Sequence, residues 1–150
     1  MLDFLRKSPA KDNILLSDGV IELRLNRVVN NQYMYYVYLC SSDQLIGYSD
    51  LRVGHSLSLY YYGNIGYRIL PDFRGNGYAY RASMLLIELA RKLNMGYVIF
   101  TVSPDNIASV KTCQKICGEC REVVNVPSWH PLYMNNEKIK MVFRYDLENQ

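Results

Sequence analysis

The chain has no apolar run of the ~18 residues that a membrane-crossing helix needs. Its first twenty residues carry Asp3, Arg6, Lys7, Lys11 and Asp12 and hold no apolar segment of the secretory kind. A cytoplasmic protein with no membrane partner is the expectation. Blocks of one charge sign are missing too: 17 basic residues are scattered against 14 acidic ones, for a net charge of +3, so no basic stripe invites a nucleic acid. Cys113, Cys117 and Cys120 cluster, but their spacing lacks the two paired Cys-x-x-Cys knuckles of a structural zinc site. Cys113 and Cys117 stand four apart beside Ile107 and Val110, which reads as small apolar packing on a helix, so thiols and no metal are expected. Two phosphate signatures are also lacking. No Gly-Lys-Ser/Thr closes a glycine loop, and no Gly-x-Gly-x-x-Gly announces a dinucleotide fold.

What the chain holds is enough apolar content, 49% of 150 residues, to bury one core, so residues 1–150 read as a single domain with 1–13 as a lead segment. Val20 to Val29 alternates apolar and polar residues at period two, the mark of a half-buried strand. Asn30 to Gln32 turns into a second strand, Tyr33 to Cys40, and Ser41 to Asp43 into a third, Leu45 to Val53. Leu59 to Leu70 reads as a fourth strand, with Gly63-Asn64 as a bulge inside it. Between Tyr78 and Asn94, Ala79, Ala82, Leu85, Leu86, Leu89, Ala90 and Leu93 recur at helical steps, and Gly96 is placed to end that helix. A strand at Tyr97 to Val102, a helix capped by Asp105 or Asn106 and running to about Ile116, and strands at Arg121 to Val126 and Ile139 to Leu147 complete the order. The segment Pro127 to Pro131 is a loop.

The informative stretch lies at 64–94, where a strand passes through Pro71-Asp-Phe-Arg-Gly-Asn-Gly-Tyr-Ala79 into the long helix. Gly75 and Gly77 carry no Cβ, so the backbone can bend and bring its N–H groups close to a ligand, just where a helix start leaves donors unpaired. Such a junction suits a diphosphate.

Arg74, Gly77 and Ala79 stand in the pattern Arg/Gln-x-x-Gly-x-Gly/Ala, preceded by Ile65-Gly-Tyr-Arg-Ile69 and followed by an amphipathic helix. This resembles the acyl-CoA loop of the GNAT superfamily of N-acetyltransferases. Leu45 to His55 is similar to the preceding strand of that family, and Asn106-Ile-Ala-Ser109 through Lys115 resembles its Asn-x-x-Ser/Ala-x-x-x-x-x-Lys segment. The resemblance spans roughly residues 20–147. It implies an α/β (α+β) fold, with a mixed, mainly antiparallel, splayed sheet of about seven strands flanked by helices. The family's first helical region is shortened here to the few residues at 30–32.

The resemblance further implies acetyl-CoA as co-substrate and direct attack of a primary amine, of a small molecule or peptide, on the thioester. It places N–H groups of Gly75, Asn76, Gly77, Tyr78 and Ala79 on the diphosphate, with Arg74 as a cationic anchor. A backbone N–H at Ile69 or Leu70 would face the thioester carbonyl, Asn106 and Ser109 the pantetheine arm or acyl end, and Lys111 or Lys115 the adenosine phosphate. Many members carry a tyrosine seven residues after the counterpart of Asn106 to protonate the departing sulfur. Cys113 stands there instead. For the base, Glu22 and His55 come first, beside Asp50 and the hydroxyls of Tyr60 to Tyr62. The alternative is a CoA-binding module without turnover, and a homodimer is compatible with the abbreviated acceptor side.

Overall fold

The computed structural model describes residues 15–147, so the lead expected at 1–13 lies outside the described residues. Eight strands are present among them, in two antiparallel sheets. The first sheet runs in spatial order β1 (Leu15–Ser17), β2 (Ile21–Val29), β3 (Gln32–Leu39), β4 (Leu45–Arg52), β5 (Ile65–Ile69). The second has β8 (Ile139–Asp146) between β6 (Tyr97–Val102) and β7 (Glu122–Asn125). The strand beyond the expected seven is β1, whose three residues are too few to show a period.

The β2–β3 connection is a two-residue hairpin at Asn30 and Asn31, with φ of 50° and 63°. Asparagine tolerates that left-handed geometry, which matches the twist of the strands. No helix intervenes there, so among the described residues this connection adds nothing over the face of the sheet bearing Gln32, Tyr36, Tyr48 and Asp50.

The expected fourth strand is corrected. Leu57–Tyr62 is a short helix, α1, and only Ile65–Ile69 is strand. Ser56 Oγ accepts the Leu59 N–H at 3.2 Å and so caps α1, while Gly63, at φ 81°, ends it. Three consecutive tyrosines favour a strand by propensity, and the local cap overrides them. A one-turn 3-10 helix at Pro71–Phe73 leads to α2 (Tyr78–Lys92). That helix ends at Leu93 and Asn94, whose φ of 60° turns the chain, two residues ahead of the expected Gly96. After β6 come α3 (Ile107–Cys117) and a single turn, α4 (Pro131–Met134), where a loop was expected.

The core lies between α2 and the first sheet. Ala82, Leu86, Ile87, Leu89 and Ala90 are fully buried, as are Ile21, Leu23, Val37, Ile46 and Leu51 of the strands. Each such Leu, Ile or Val side chain taken from water contributes about 1.5–3 kcal/mol. This fixes α2, and with it the loop that opens it, against β4 and β5.

Candidate active site

The two sheets touch at one point and then part. Asn64 N–H donates to Ile99 O at 2.7 Å, and Asn64 Oδ1 accepts the Ile99 N–H at 2.8 Å. The same amide's Nδ2 donates to Arg52 O and Gly54 O, both at 2.9 Å, so the buried Asn64 rivets β4, β5 and β6 together. Gly63 makes this approach possible, because a Cβ there would lie 3.1 Å from Thr101 N and 3.2 Å from Ile99 O.

Beyond the rivet, β5 and β6 exchange no ladder bonds. Leu70 N–H donates to Ile46 O at 2.8 Å and Arg52 N–H to Asn64 O at 2.7 Å. By the alternation of an antiparallel ladder, Gly66, Arg68 and Leu70 therefore direct their backbone groups to β4, and Tyr67 and Ile69 direct theirs into the gap. Of the two amides expected near the thioester, Leu70 N–H is already engaged and Ile69 N–H faces the opening. Ile69 O is taken by Arg74 Nε at 2.8 Å, which holds that side chain at the end of β5.

On one side of the gap lies a cavity of about 540 Å³, lined by Tyr67, Ile69, Arg74, Gly77, Asn106 and Ser109 among others. The start of α2 opens onto it. Its first intrahelical bond is Arg81 N–H to Gly77 O at 3.1 Å, so the N–H groups of Tyr78, Ala79 and Tyr80 have no helical acceptor. Gly77 supplies no capping side chain, and the first turn carries no acid. Gly75 and Gly77 sit at φ of 83° and 76°, and a Cβ on either would meet nothing within 4 Å, so the space in front of these amides is open. Asn76 Nδ2 ties the loop to Phe73 O at 3.1 Å. Lys115 Nζ sits 4.1 Å above the Tyr80 ring, bringing a cation beside the same turn. An oriented row of donors, open space and nearby cations suit a phosphate group.

On the other side lies a second cavity, of about 550 Å³, with Gln32, Asp50, Arg52, Tyr62, Glu137 and Lys140 in its walls. Tyr67, Arg68, Asn106 and Ser109 line both, so the two meet at the gap. Asp50 Oδ2 accepts from Gln32 Nε2 at 2.8 Å and pairs with Arg52 Nε at 3.0 Å. Asp50 Oδ1 lies over Gly66, where a Cβ would stand only 2.6 Å away. The carboxylate is thus held by one oxygen while the other projects over the backbone of β5 at the gap. Lys140 is neutralised in the opposite wall by Glu137 at 2.6 Å.

Residues 15–117 match the acetyltransferase (GNAT) domain family, a span that takes in the rivet, the loop, the first cavity, α3 and the walls of the second cavity other than Leu132, Glu137 and Lys140. The chain belongs to the GNAT acetyltransferase family. It is 31% identical over 72 residues to the uncharacterized N-acetyltransferase YnaD of Bacillus subtilis strain 168, a match covering 45% of this chain and 42% of that protein. Among solved structures, it is similar to a GNAT-family acetyltransferase from Bacillus anthracis at TM-score 0.68 and 14% identity, over 89% of this chain and 99% of that one. A ribosomal-protein-S5-alanine acetyltransferase from Vibrio fischeri aligns at TM-score 0.61 and 14% identity, over 80% and 64%. The microcin C7 self-immunity acetyltransferase MccE, solved with acetyl-CoA and AMP, aligns at 0.57 and 16%, over 77% and 61%. At these identities the structural neighbours show a shared fold.

In this GNAT chain the residues singled out from sequence fall into distinct places. Ile69, Arg74, Gly75, Gly77, Tyr78, Ala79, Asn106 and Ser109 come together around the first cavity. Asn106 Oδ1 also caps α3, accepting the Ser109 N–H at 3.3 Å. Glu22 lines neither cavity; its carboxylate is paired with Arg24 at 2.5 Å, and Arg24 also pairs with Asp43. His55 stacks on Tyr97 with ring centroids 4.0 Å apart, in a separate hollow at the closed end of the gap. Burial, and secondly Arg144, lower its pKa. The Tyr60 hydroxyl is bonded to Glu122. Tyr62 joins Asp50 in the second cavity. Cys113 also reaches that cavity, but it is buried at 2% exposure, and burial pushes its thiol up to about 12. Among the described residues no cluster of three His, Cys, Asp or Glu side chains is placed to hold a metal ion.

Tyr67 and Gly66 are among the residues of this site not singled out from sequence. Tyr67 stood inside the quoted Ile-Gly-Tyr-Arg-Ile stretch, but a tyrosine on a strand looks the same whether it packs or reacts. Gly66 stood beside it, and only the cross-strand register shows that its missing side chain makes room for Asp50.

Proposed function

We propose that this acetyltransferase moves an acetyl group from acetyl-CoA to the primary amine of a small molecule or peptide by direct attack. The observation that carries the reading is the meeting of two cavities at the unpaired edge of β5, one ending in helix-terminal amides and the other in a half-tethered carboxylate. The amides of Gly75 to Ala79, with Arg74 and Lys115, take the diphosphate and the adenosine phosphate. Tyr67 offers its ladder groups to the amide-bearing pantetheine arm, and Asn106 and Ser109 flank it. Ile69 N–H polarises the thioester carbonyl. Positioning supplies most of the rate, because no covalent enzyme intermediate is needed.

Asp50 Oδ1 holds the incoming ammonium and receives a proton from it. A carboxylate is a weak base, so an acceptor that loses its proton easily suits it. A peptide α-amine, with a reference pKa of about 7.7–8.0, fits better than a lysine side chain at about 10.4. The structural neighbour named for the alanine of ribosomal protein S5 supports including peptide α-amines among the acceptors tested. The test is thiol release from acetyl-CoA in the presence of a panel of amines, with mass spectrometry of the acceptor. Thiol and acetylated amine appearing in equal amounts is the expected result. Acetyl-CoA bound with no amine-dependent thiol release would leave a binding module instead.

A further inference from the structure

We infer that Tyr67, on β5, supplies the proton to the sulfur that leaves. This rests on the transferase reading above and adds to it a residue that neither the sequence motif nor the family match assigns. A thiolate expelled into a half-enclosed gap needs either a proton or a hydrogen-bond donor close by, since charge is costly there. Position 113 offers only a buried thiol. Tyr67 lines both cavities and, among the described residues, is the one phenol that does so.

Ser109, Thr112 and Cys113, on one turn of α3, line the same two cavities beside it. Across the ladder its register partner is Ser49, which is 4% exposed, lines the second cavity, and has an Oγ with no hydrogen-bond partner. A buried hydroxyl of that kind is ordinarily satisfied, by water if not by protein. The gap beside Tyr67 therefore has a polar lining with an unused group in it, which suits the passage of a proton. Burial keeps the phenol above its ordinary value, so it remains a donor at neutral pH.

The step balances as follows. The amine nitrogen forms a bond to the carbonyl carbon, the C–S bond breaks, and its electron pair stays on sulfur. The Tyr67 Oη proton passes to that sulfur. The nitrogen sheds two protons, one as the ammonium becomes the attacking amine and one as that amine becomes the amide; each goes to Asp50 and from there to solvent, and solvent returns one to the phenolate. The products are the amide and the free thiol of coenzyme A.

Three measurements on wild type and Tyr67→Phe test this. Phe keeps the ring and its packing, so acetyl-CoA affinity by calorimetry should stay within about twofold, while kcat falls by about a hundredfold or more. The third readout needs no turnover. A phenol donating to a bound thiolate favours that form, so the affinity of wild type for free coenzyme A, relative to the variant's, should rise as pH passes through the thiol's range near 8.5. A Tyr67→Phe protein with wild-type kcat, or with an unchanged pH dependence of coenzyme A affinity, overturns the assignment. The same losses appearing in Cys113→Ala, with Tyr67→Phe unaffected, would move the donor to Cys113. A wild-type protein that binds no acetyl-CoA overturns the transferase reading along with it, whereas binding and turnover indifferent to Tyr67→Phe overturn this inference alone.

Discussion

At the scale of single residues, Gly66 is where one methyl group separates the two halves of the site. Alanine there would place its Cβ 2.6 Å from Asp50 Oδ1 and 3.1 Å from Arg52 Nη2. Both are ends of side chains, so the strand can stay and the carboxylate must move. Gly66→Ala is expected to lower kcat/KM for the acceptor about tenfold or more, to leave acetyl-CoA affinity within about twofold, and to change stability by less than about 1 kcal/mol. Steady-state kinetics, calorimetry and urea unfolding read the three. Unaltered acceptor kinetics would remove Asp50 from the proposed role. At this scale the sequence was legible in part. The loop residues Arg74 to Ala79 could be found because a glycine loop before an amphipathic helix has a local pattern. The second cavity was not legible: Asp50 stood among several candidate bases, but its meeting with Gly66 and Gln32 comes only through strand register, and an acid on a strand looks alike whether it ends as Glu22 did, paired with Arg24, or as Asp50 did.

At the scale of elements, α2 joins the core to the proposed anion cradle. Gly77→Glu sets a negative charge in front of the N–H groups of Tyr78 to Tyr80, where the helix dipole favours the opposite arrangement for a phosphate ligand. Its positive φ adds a backbone cost of about 1–2 kcal/mol. Acetyl-CoA affinity is expected to fall more than tenfold in a protein that remains folded by circular dichroism, and calorimetry showing wild-type affinity would sink the cradle.

The first turn of the same helix is also tethered to the β1–β2 turn by Asp18, whose Oδ2 pairs with Arg81 at 2.9 Å. Burial raises that carboxyl's pKa, but the N–H groups of Ile21 and Val20 and the Arg81 guanidinium outweigh it, and the net shift is downward. The stability Asp18 contributes is therefore complete above its unfolded pKa near 3.9 and is lost as pH falls through the lower folded value. Asp18→Asn should flatten the acid limb of a stability–pH curve measured by urea unfolding, and an unchanged limb would dismiss the tether. The long elements were legible because fifteen residues of α2 show an apolar stripe clearly. The short ones were not: α1 carries three tyrosines that prefer strands, and a single hydroxyl cap at Ser56 decides the matter.

At the scale of the whole molecule, the two sheets act together through Asn64. Its side chain makes three bonds, to Ile99 N–H, Arg52 O and Gly54 O, and none belongs to a periodic pattern that a sequence displays. The glycine before it marked a break in the strand, but nothing local could say that the break joins a second sheet 35 residues on. At about 1 kcal/mol for each buried bond, Asn64→Ala should lose about 3 kcal/mol of unfolding free energy, well beyond the ~0.5 kcal/mol of a surface asparagine. The functional consequence differs in kind from those of the two glycine variants. Gly77→Glu strikes the first cavity and Gly66→Ala the second. Asn64 sets the angle at which β5 and β6 part, and both cavities open from that angle. Under conditions where Asn64→Ala is folded, acetyl-CoA affinity and acceptor kcat/KM are expected to fall together. If calorimetry and kinetics instead show one falling without the other, the gap is not governed by its rivet, and each sheet must hold its own half of the site independently.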